Sequence, residues 1–145
     1  MLKNIPSILS PELLKILMEM GHGDEIVIAD GNFPGASIAK NLVRLDGHGV
    51  PQVLDAVVSL MPLDAYVKQP VGLMQVVKGD NVVPTIWNEY EKIINLIEPD
   101  ALKNGFEMIE RFEFYERAKN AYAVIMTGES AIYANIILKK GVVKS

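Results

Sequence analysis

Apolar residues recur at helical spacing in several stretches of the chain, and capping residues mark where those stretches begin and end. The first stretch is the clearest, because Leu13, Leu17 and Met20 share one helical face. Ser10 precedes it as a helix cap and Gly21 follows as a terminator. The same periodicity predicts helices over 51–61, 84–97 and 114–121, and a further helix that runs through Ile38, Leu42 and Val43.

Short runs rich in β-branched residues alternate with these helices. Strands are predicted over 25–30, 71–77, 122–126 and 132–138, whereas 106–112 is undecided between strand and loop. Glycine, proline and asparagine mark a loop over 31–35 and a turn over 79–81. This alternation predicts an α/β fold: one domain over residues 1–145, built as a layered sandwich with a central mixed sheet flanked by helices.

Composition removes several classes of function. The net charge is -4, with 14 basic and 18 acidic residues and no basic block, so we expect no nucleic-acid partner. The absence of cysteine excludes disulfides, thiolate metal sites and a cysteine nucleophile. No stretch is apolar for long enough to predict membrane insertion, so we expect a cytoplasmic protein with no membrane partner. The mean hydropathy of +0.20 favours apolar surface buried in a homo-oligomer.

His22 is the first candidate for acid–base chemistry. It is one of two histidines and stands between two glycines, where backbone can approach a ligand closely. The alternative is a loop histidine that only follows the end of a helix. The other histidine, His48, is typical of an exposed turn. Neither histidine has a spacing that indicates a metal site, and we expect no metal.

Five further residues, in three groups, are candidates for a ligand site. Asp30 ends a predicted strand, where ligands often bind in α/β sheets, although a carboxylate there can also merely cap a turn. Tyr133 and Asn135 lie two apart in a predicted strand, so they would share one face and suit a sugar, or simply a solvated sheet surface. Arg111 and Tyr115 would flank one cleft if Tyr115 starts a helix.

A set of segments, found in the same order along nearly the whole chain, resembles the ribose pyranase and fucose mutarotase family, in its fucose mutarotase branch. No single segment is decisive, and the ordered set carries the resemblance. The segments are Ser10-Pro-Glu-Leu-Leu14, Met20-Gly-His-Gly-Asp-Glu-Ile26, Asp30 with Asn32-Phe-Pro34, Arg44-x-Asp-Gly47, Pro62-Leu-Asp64, Arg111-Phe-Glu-Phe-Tyr-Glu-Arg-Ala118, Thr127-Gly-Glu129 and Tyr133-Ala-Asn-Ile-Ile-Leu-Lys-Lys-Gly141.

The resemblance implies an isomerase that interconverts the α and β anomers of a free monosaccharide without a cofactor. L-Fucose is the first expected substrate, with ribose and galactose next. Members assemble as dimers or ring-shaped decamers, so a homo-oligomer is implied. The residues that match the family's site are His22 as proton donor, Tyr115 as a second catalytic residue or a hydroxyl anchor, and Asp30, Asp64, Arg111, Tyr133 and Asn135 as substrate-binding residues.

The implied chemistry suits these residue types. Mutarotation delivers a proton to the ring oxygen of the sugar and removes another from the anomeric hydroxyl, so a histidine that titrates near neutral pH suffices. Arg111 is always charged and is better suited to holding sugar oxygens than to donating a proton. Two alternatives stay open at this point: a non-catalytic sugar-binding or regulatory module, and a purely structural oligomer.

Overall fold

The computed structural model describes residues 1–145 as one α/β domain with five helices and a six-stranded sheet. The strand order is β2-β5-β1-β6-β3-β4. Strand β6 runs antiparallel to both of its neighbours, and the other pairs are parallel, so the sheet is mixed as expected. The elements are α1 (Pro11–Glu19), β1 (Glu25–Ala29), α2 (Gly35–Ile38), β2 (Leu42–Leu45), α3 (Val50–Val58), β3 (Val71–Met74), α4 (Ile86–Ile97), β4 (Glu107–Ile109), α5 (Arg111–Asn120), β5 (Ala123–Thr127) and β6 (Ile136–Lys139).

The central strands are apolar on both faces because helices cover the sheet on both sides. Ile26 and Ile28 of β1 pack into the larger core layer, with α1, α3 and α4. Val27 and Ala29 point to the opposite face and pack with Phe114 of α5. Two-sided burial explains why the strands appear in the sequence as continuous apolar runs rather than as alternating patterns. No helix of the structure is both long and apolar enough to cross a membrane.

Most predicted elements are found, and local chemistry explains where they begin. The Ser10 side chain accepts a hydrogen bond from the Leu13 N–H at 3.1 Å, so α1 has the predicted cap. Glu110 plays the same role for α5 by accepting from the N–H groups of Phe112 and Glu113. This cap settles the undecided region 106–112: β4 ends at Ile109 and α5 begins at Arg111.

Two predictions about secondary structure were wrong. The helix through Ile38, Leu42 and Val43 ends at Ile38, because Leu42 and Val43 pair with β5 as part of β2. The strand over 132–138 begins only at Ile136. Residue Tyr133 has a φ of 58°, which is incompatible with an extended strand, so the segment before β6 is a loop.

Candidate active site

A cavity of about 340 Å³ opens at one end of the sheet. The parallel strands β1, β3 and β4 all end there, and antiparallel β6 begins there, which is the usual place for a ligand in an α/β sheet. Its lining mixes carboxylate, guanidinium, amide and phenol groups with aromatic and aliphatic side chains. The lining residues are Asp30, Asn32, Phe33, Met74, Val77, Asp80, Arg111, Tyr115, Ile132, Tyr133 and Asn135.

Asp30 lies at the bottom of this cavity, immediately after β1, and is only 5% exposed. Burial raises its pKa above the ordinary aspartate range, although hydrogen bonds from the N–H groups of Asn32, Ala134 and Phe33 and from Asn135 partly offset the effect. Asn32 N–H donates to Asp30 Oδ1 at 2.9 Å. The carboxylate is therefore fixed in place and is a stronger base than a solvated aspartate.

Arg111 and Tyr115 form a pair on the first turns of α5. They are four residues apart on one helix face, and Arg111 Nε donates to Tyr115 Oη at 3.2 Å. This leaves the phenol proton of Tyr115 free for a ligand. The Phe33 ring packs edge-on against Tyr115, with centroids 5.6 Å apart, and limits where the phenol can point. The predicted common cleft for Arg111 and Tyr115 is confirmed.

Asn135 and Tyr133 also reach this cavity, but from a loop rather than from the predicted strand. Asn135 Oδ1 accepts the backbone N–H of Asp30 at 2.8 Å, and the Asn135 side chain also hydrogen-bonds to the Asp30 carboxyl, so one of the two Nδ2 protons remains for a ligand. In the predicted strand, the alternation of side chains would have placed both on one face. In the structure, the left-handed backbone at Tyr133 brings the two side chains to the same cavity instead. The residues converge as expected, for a different structural reason.

His22 and Asp64 do not lie in this cavity. His22 precedes β1, whereas Asp30 follows it, and the five residues of β1 span about 17 Å. Gly23 N–H donates to Lys140 O at the far end of β6, and Asp64 N–H donates to Lys139 O there. Asp30 therefore cannot orient the His22 ring of its own chain.

Asp64 instead holds the His22 ring. His22 Nε2 lies 3.0 Å from Asp64 Oδ1, which also accepts the Tyr66 N–H at 3.0 Å. Burial tends to raise the pKa of Asp64, but the Tyr66 N–H and the His22 ring outweigh this effect and the net pKa is lowered. Because the carboxylate accepts the Nε2 proton, Nδ1 is the ring nitrogen left for a ligand. The His22 side chain is 44% exposed, so it faces solvent with a buried support behind it.

Sequence reasoning gave no role to several lining residues. Asp80 belongs to the predicted turn over 79–81, and nothing local signals that it meets Tyr133, 53 positions later. Phe33 and Asn32 were part of a recognised segment, but their contacts depend on the path of the chain after β1. No group of three or more acidic or histidine side chains is arranged to hold a metal ion.

Known proteins of similar sequence and fold identify the family of this chain. Residues 3–143 match the RbsD / FucU transport protein family. The human fucose mutarotase is 50% identical, over 97% of this chain and 94% of that protein. A crystal structure of the fucose mutarotase from Streptococcus pneumoniae in complex with L-fucose is 52% identical, with a TM-score of 0.93 over 99% of this chain and 100% of that one. FucU from Bifidobacterium longum is 53% identical, with a TM-score of 0.94 over 98% of this chain and 100% of that one. The chain therefore belongs to the RbsD/FucU family.

Proposed function

We propose that this protein is a fucose mutarotase, an isomerase that interconverts the α and β anomers of free L-fucose without a cofactor. The observation that carries this proposal is the cavity beside β1, where a buried carboxylate faces an arginine–tyrosine pair. Relatives named fucose mutarotase share about half of the sequence over nearly its whole length, and one was crystallised with L-fucose. The substrate class, a small polyhydroxylated ring, suits a lining in which polar and aromatic groups alternate.

The cavity residues divide the chemistry between them. Tyr115 has a free phenol proton beside the Arg111 guanidinium, whose positive charge would stabilise negative charge developing on Oη during proton transfer. Asp30, with its raised pKa, accepts a proton or a hydrogen bond from a sugar hydroxyl. Asn135 Nδ2 donates to a sugar oxygen. These roles need no metal, nucleophile or redox group.

His22 completes the site from a neighbouring copy of the chain. The ring cannot reach the cavity of its own chain, yet it is exposed, oriented by Asp64 and ready to exchange a proton at Nδ1. Exposed apolar residues adjoin both halves of the site, with Tyr66 packed against His22 and Phe112 against Tyr115. Such surfaces are typical of subunit interfaces. We therefore propose a homo-oligomer, a dimer or a ring, in which the His22 half of one copy covers the cavity of the next.

In this arrangement Asp64 acts through His22, and a direct contact between Asp64 and the sugar is a second possible role. The carboxylate is 4% exposed and already accepts two hydrogen bonds on Oδ1, which favours the positioning role. A positioning group acts on the rate of proton transfer, whereas a sugar contact acts on affinity. Separate measurements of kcat and KM distinguish the two roles.

The proposed activity is tested by saturation-transfer NMR on a panel of free sugars. Irradiating the signal of one anomeric proton depletes the other anomer only if the two exchange during the experiment. We expect fast exchange with L-fucose, slower exchange with D-ribose and D-galactose, and no effect of added chelator. A protein whose melting temperature rises with L-fucose but which leaves the exchange rate at its uncatalysed value would instead be a sugar-binding module.

A further inference from the structure

The loop between β3 and α4 enters the cavity through one acidic side chain, Asp80. Residues 75–85 contain no helix or strand, and Asp80 is exposed. Even so, Tyr133 Oη donates to Asp80 Oδ2 at 2.6 Å, and Tyr133 Oη in turn accepts the Val77 N–H at 3.3 Å. Asp80 and Val77 both line the cavity. Two hydrogen bonds to one phenol therefore hold this loop against the site.

The backbone beneath Tyr133 is strained and firmly fixed, which shows that its position is specified. Tyr133 has a φ of 58°, a left-handed conformation that is unfavourable for a residue with a side chain. Two aromatic side chains of α4 hold the segment there: Trp87 Nε1 donates to the Tyr133 carbonyl at 2.8 Å, and Tyr90 Oη to the Ala134 carbonyl at 2.7 Å. Strain that is maintained by this many contacts at a cavity wall indicates a functional constraint.

The hydrogen bond to Asp80 decides what Tyr133 can offer a sugar. A phenol has one proton, and here that proton is committed to a carboxylate. The bond to Asp80 raises the pKa of Tyr133, so the phenol stays protonated. With Val77 N–H occupying part of its acceptor capacity, Tyr133 Oη presents its remaining lone pair to the cavity. It can only accept a hydrogen bond from a sugar hydroxyl.

We propose that Asp80 is a specificity-determining residue that acts through Tyr133: it holds the phenol in place and makes its oxygen an obligate acceptor. This inference rests on the proposed mutarotase function and adds a residue to its sugar site. The cavity then has a donor side, made by Arg111, Tyr115 and Asn135, and an acceptor side, made by Tyr133 and Asp30. A sugar binds well only when its hydroxyl groups match that polarity.

The test is a double-mutant cycle with L-fucose, using Asp80→Ala, Tyr133→Phe and the double variant in the full-length oligomer. We expect each single variant to raise KM about tenfold, the size expected for one charge-assisted hydrogen-bond system, with kcat within about twofold of the wild type. Asp80 also lines the cavity, so the double variant separates two roles: it should be no worse than Tyr133→Phe alone if Asp80 acts through the phenol, whereas a direct contact between Asp80 and the sugar would make the two losses add. Asp80→Asn keeps an acceptor oxygen and should recover part of the loss.

Asp100→Ala is the matched control, since Asp100 is also an exposed loop aspartate but does not line the cavity. Its KM should equal that of the wild type, and all variants should keep the wild-type melting temperature to within a few degrees. An unchanged KM for Asp80→Ala, or losses that add in the double variant, would overturn the inference while leaving the mutarotase function intact. If the wild type itself catalyses no exchange, the proposed function fails, and the same cycle on the Kd for L-fucose, measured by NMR titration, still decides the role of Asp80.

Discussion

Mixing two inactive variants tests whether His22 acts across a subunit interface. His22→Ala removes the proposed proton donor from one half of the proposed site, and Tyr115→Phe removes the phenol proton from the other half. If each site takes its cavity from one chain and its histidine from another, a mixed oligomer contains some sites that carry neither substitution. In an equal mixture a cavity is intact with probability one half and its incoming histidine is intact with probability one half, so about 25% of wild-type activity should return.

The recovery should also follow the mixing ratio as the product of the two chain fractions, with its maximum at equal amounts. The two chains carry different affinity tags and are co-expressed, and exchange is measured by saturation-transfer NMR on the unselected mixture. Purification of a separate sample on both tags verifies that mixed oligomers form. Asp30→Asn mixed with Tyr115→Phe is the control, because both substitutions lie in the cavity half and every cavity carries one of them. That mixture should stay inactive. No recovery in the first mixture, with mixed oligomers verified by the double purification, would refute the shared site.

Three other substitutions test the electrostatics of the fold and the site. Asp30→Asn should abolish exchange yet raise the melting temperature at pH 7. The pKa of the Asp30 carboxyl is raised on folding, so the wild-type protein loses stability as pH increases from about 4 to that raised pKa. Thermal melts at several pH values should therefore show a smaller dependence of the melting temperature on pH in the variant. Asp64→Asn should lower kcat more than it raises KM. Because folding lowers the pKa of Asp64, the substitution should also reduce the free energy of unfolding by about 1 kcal/mol above pH 4. In urea melts this loss should disappear as pH falls below the folded-state pKa of Asp64. Arg117→Met leaves Glu25 of β1 and Glu107 of β4 without the partner that each contacts at 2.6–2.8 Å, and urea melts should show a loss of about 2 kcal/mol with the exchange chemistry retained.

The sequence was sufficient for the class of fold and for most helices and buried strands, because those elements follow from local periodicity and capping. Ser10, for example, is recognisable as a cap without any tertiary information. The errors fall where distant pairing overrides local pattern. Leu42 and Val43 have helical spacing with Ile38, yet they become β2 because β5 offers an edge to pair with. Periodicity cannot report the presence of that partner.

In the candidate site, too, residues marked by local sequence could be predicted, whereas those that depend on distant contacts could not. Asp30 could be predicted because the end of β1 is visible in the sequence, and Arg111 and Tyr115 because the motif around them is distinctive, although the start of α5 was placed at 114 instead of Arg111. Asp80 could not be predicted, because its role depends on a hydrogen bond to a residue 53 positions away. The loop at Tyr133 was also missed, since its left-handed backbone is maintained by α4 and not by any local glycine or asparagine.

Strand β6 explains why the two halves of the proposed site lie at opposite ends of one chain. It runs antiparallel to β1, so its start lies beside Asp30 and its end lies beside His22. Beyond that end, Lys140 Nζ donates to the carbonyls of Leu17 and Met20 and fixes the turn that carries His22. One strand thus sets the distance between His22, the proposed proton donor, and the proposed sugar cavity, which stay apart within one chain. In the proposed oligomer a neighbouring copy would have to match this spacing to bring its His22 to the cavity, so the same strand would determine both the site geometry and the assembly.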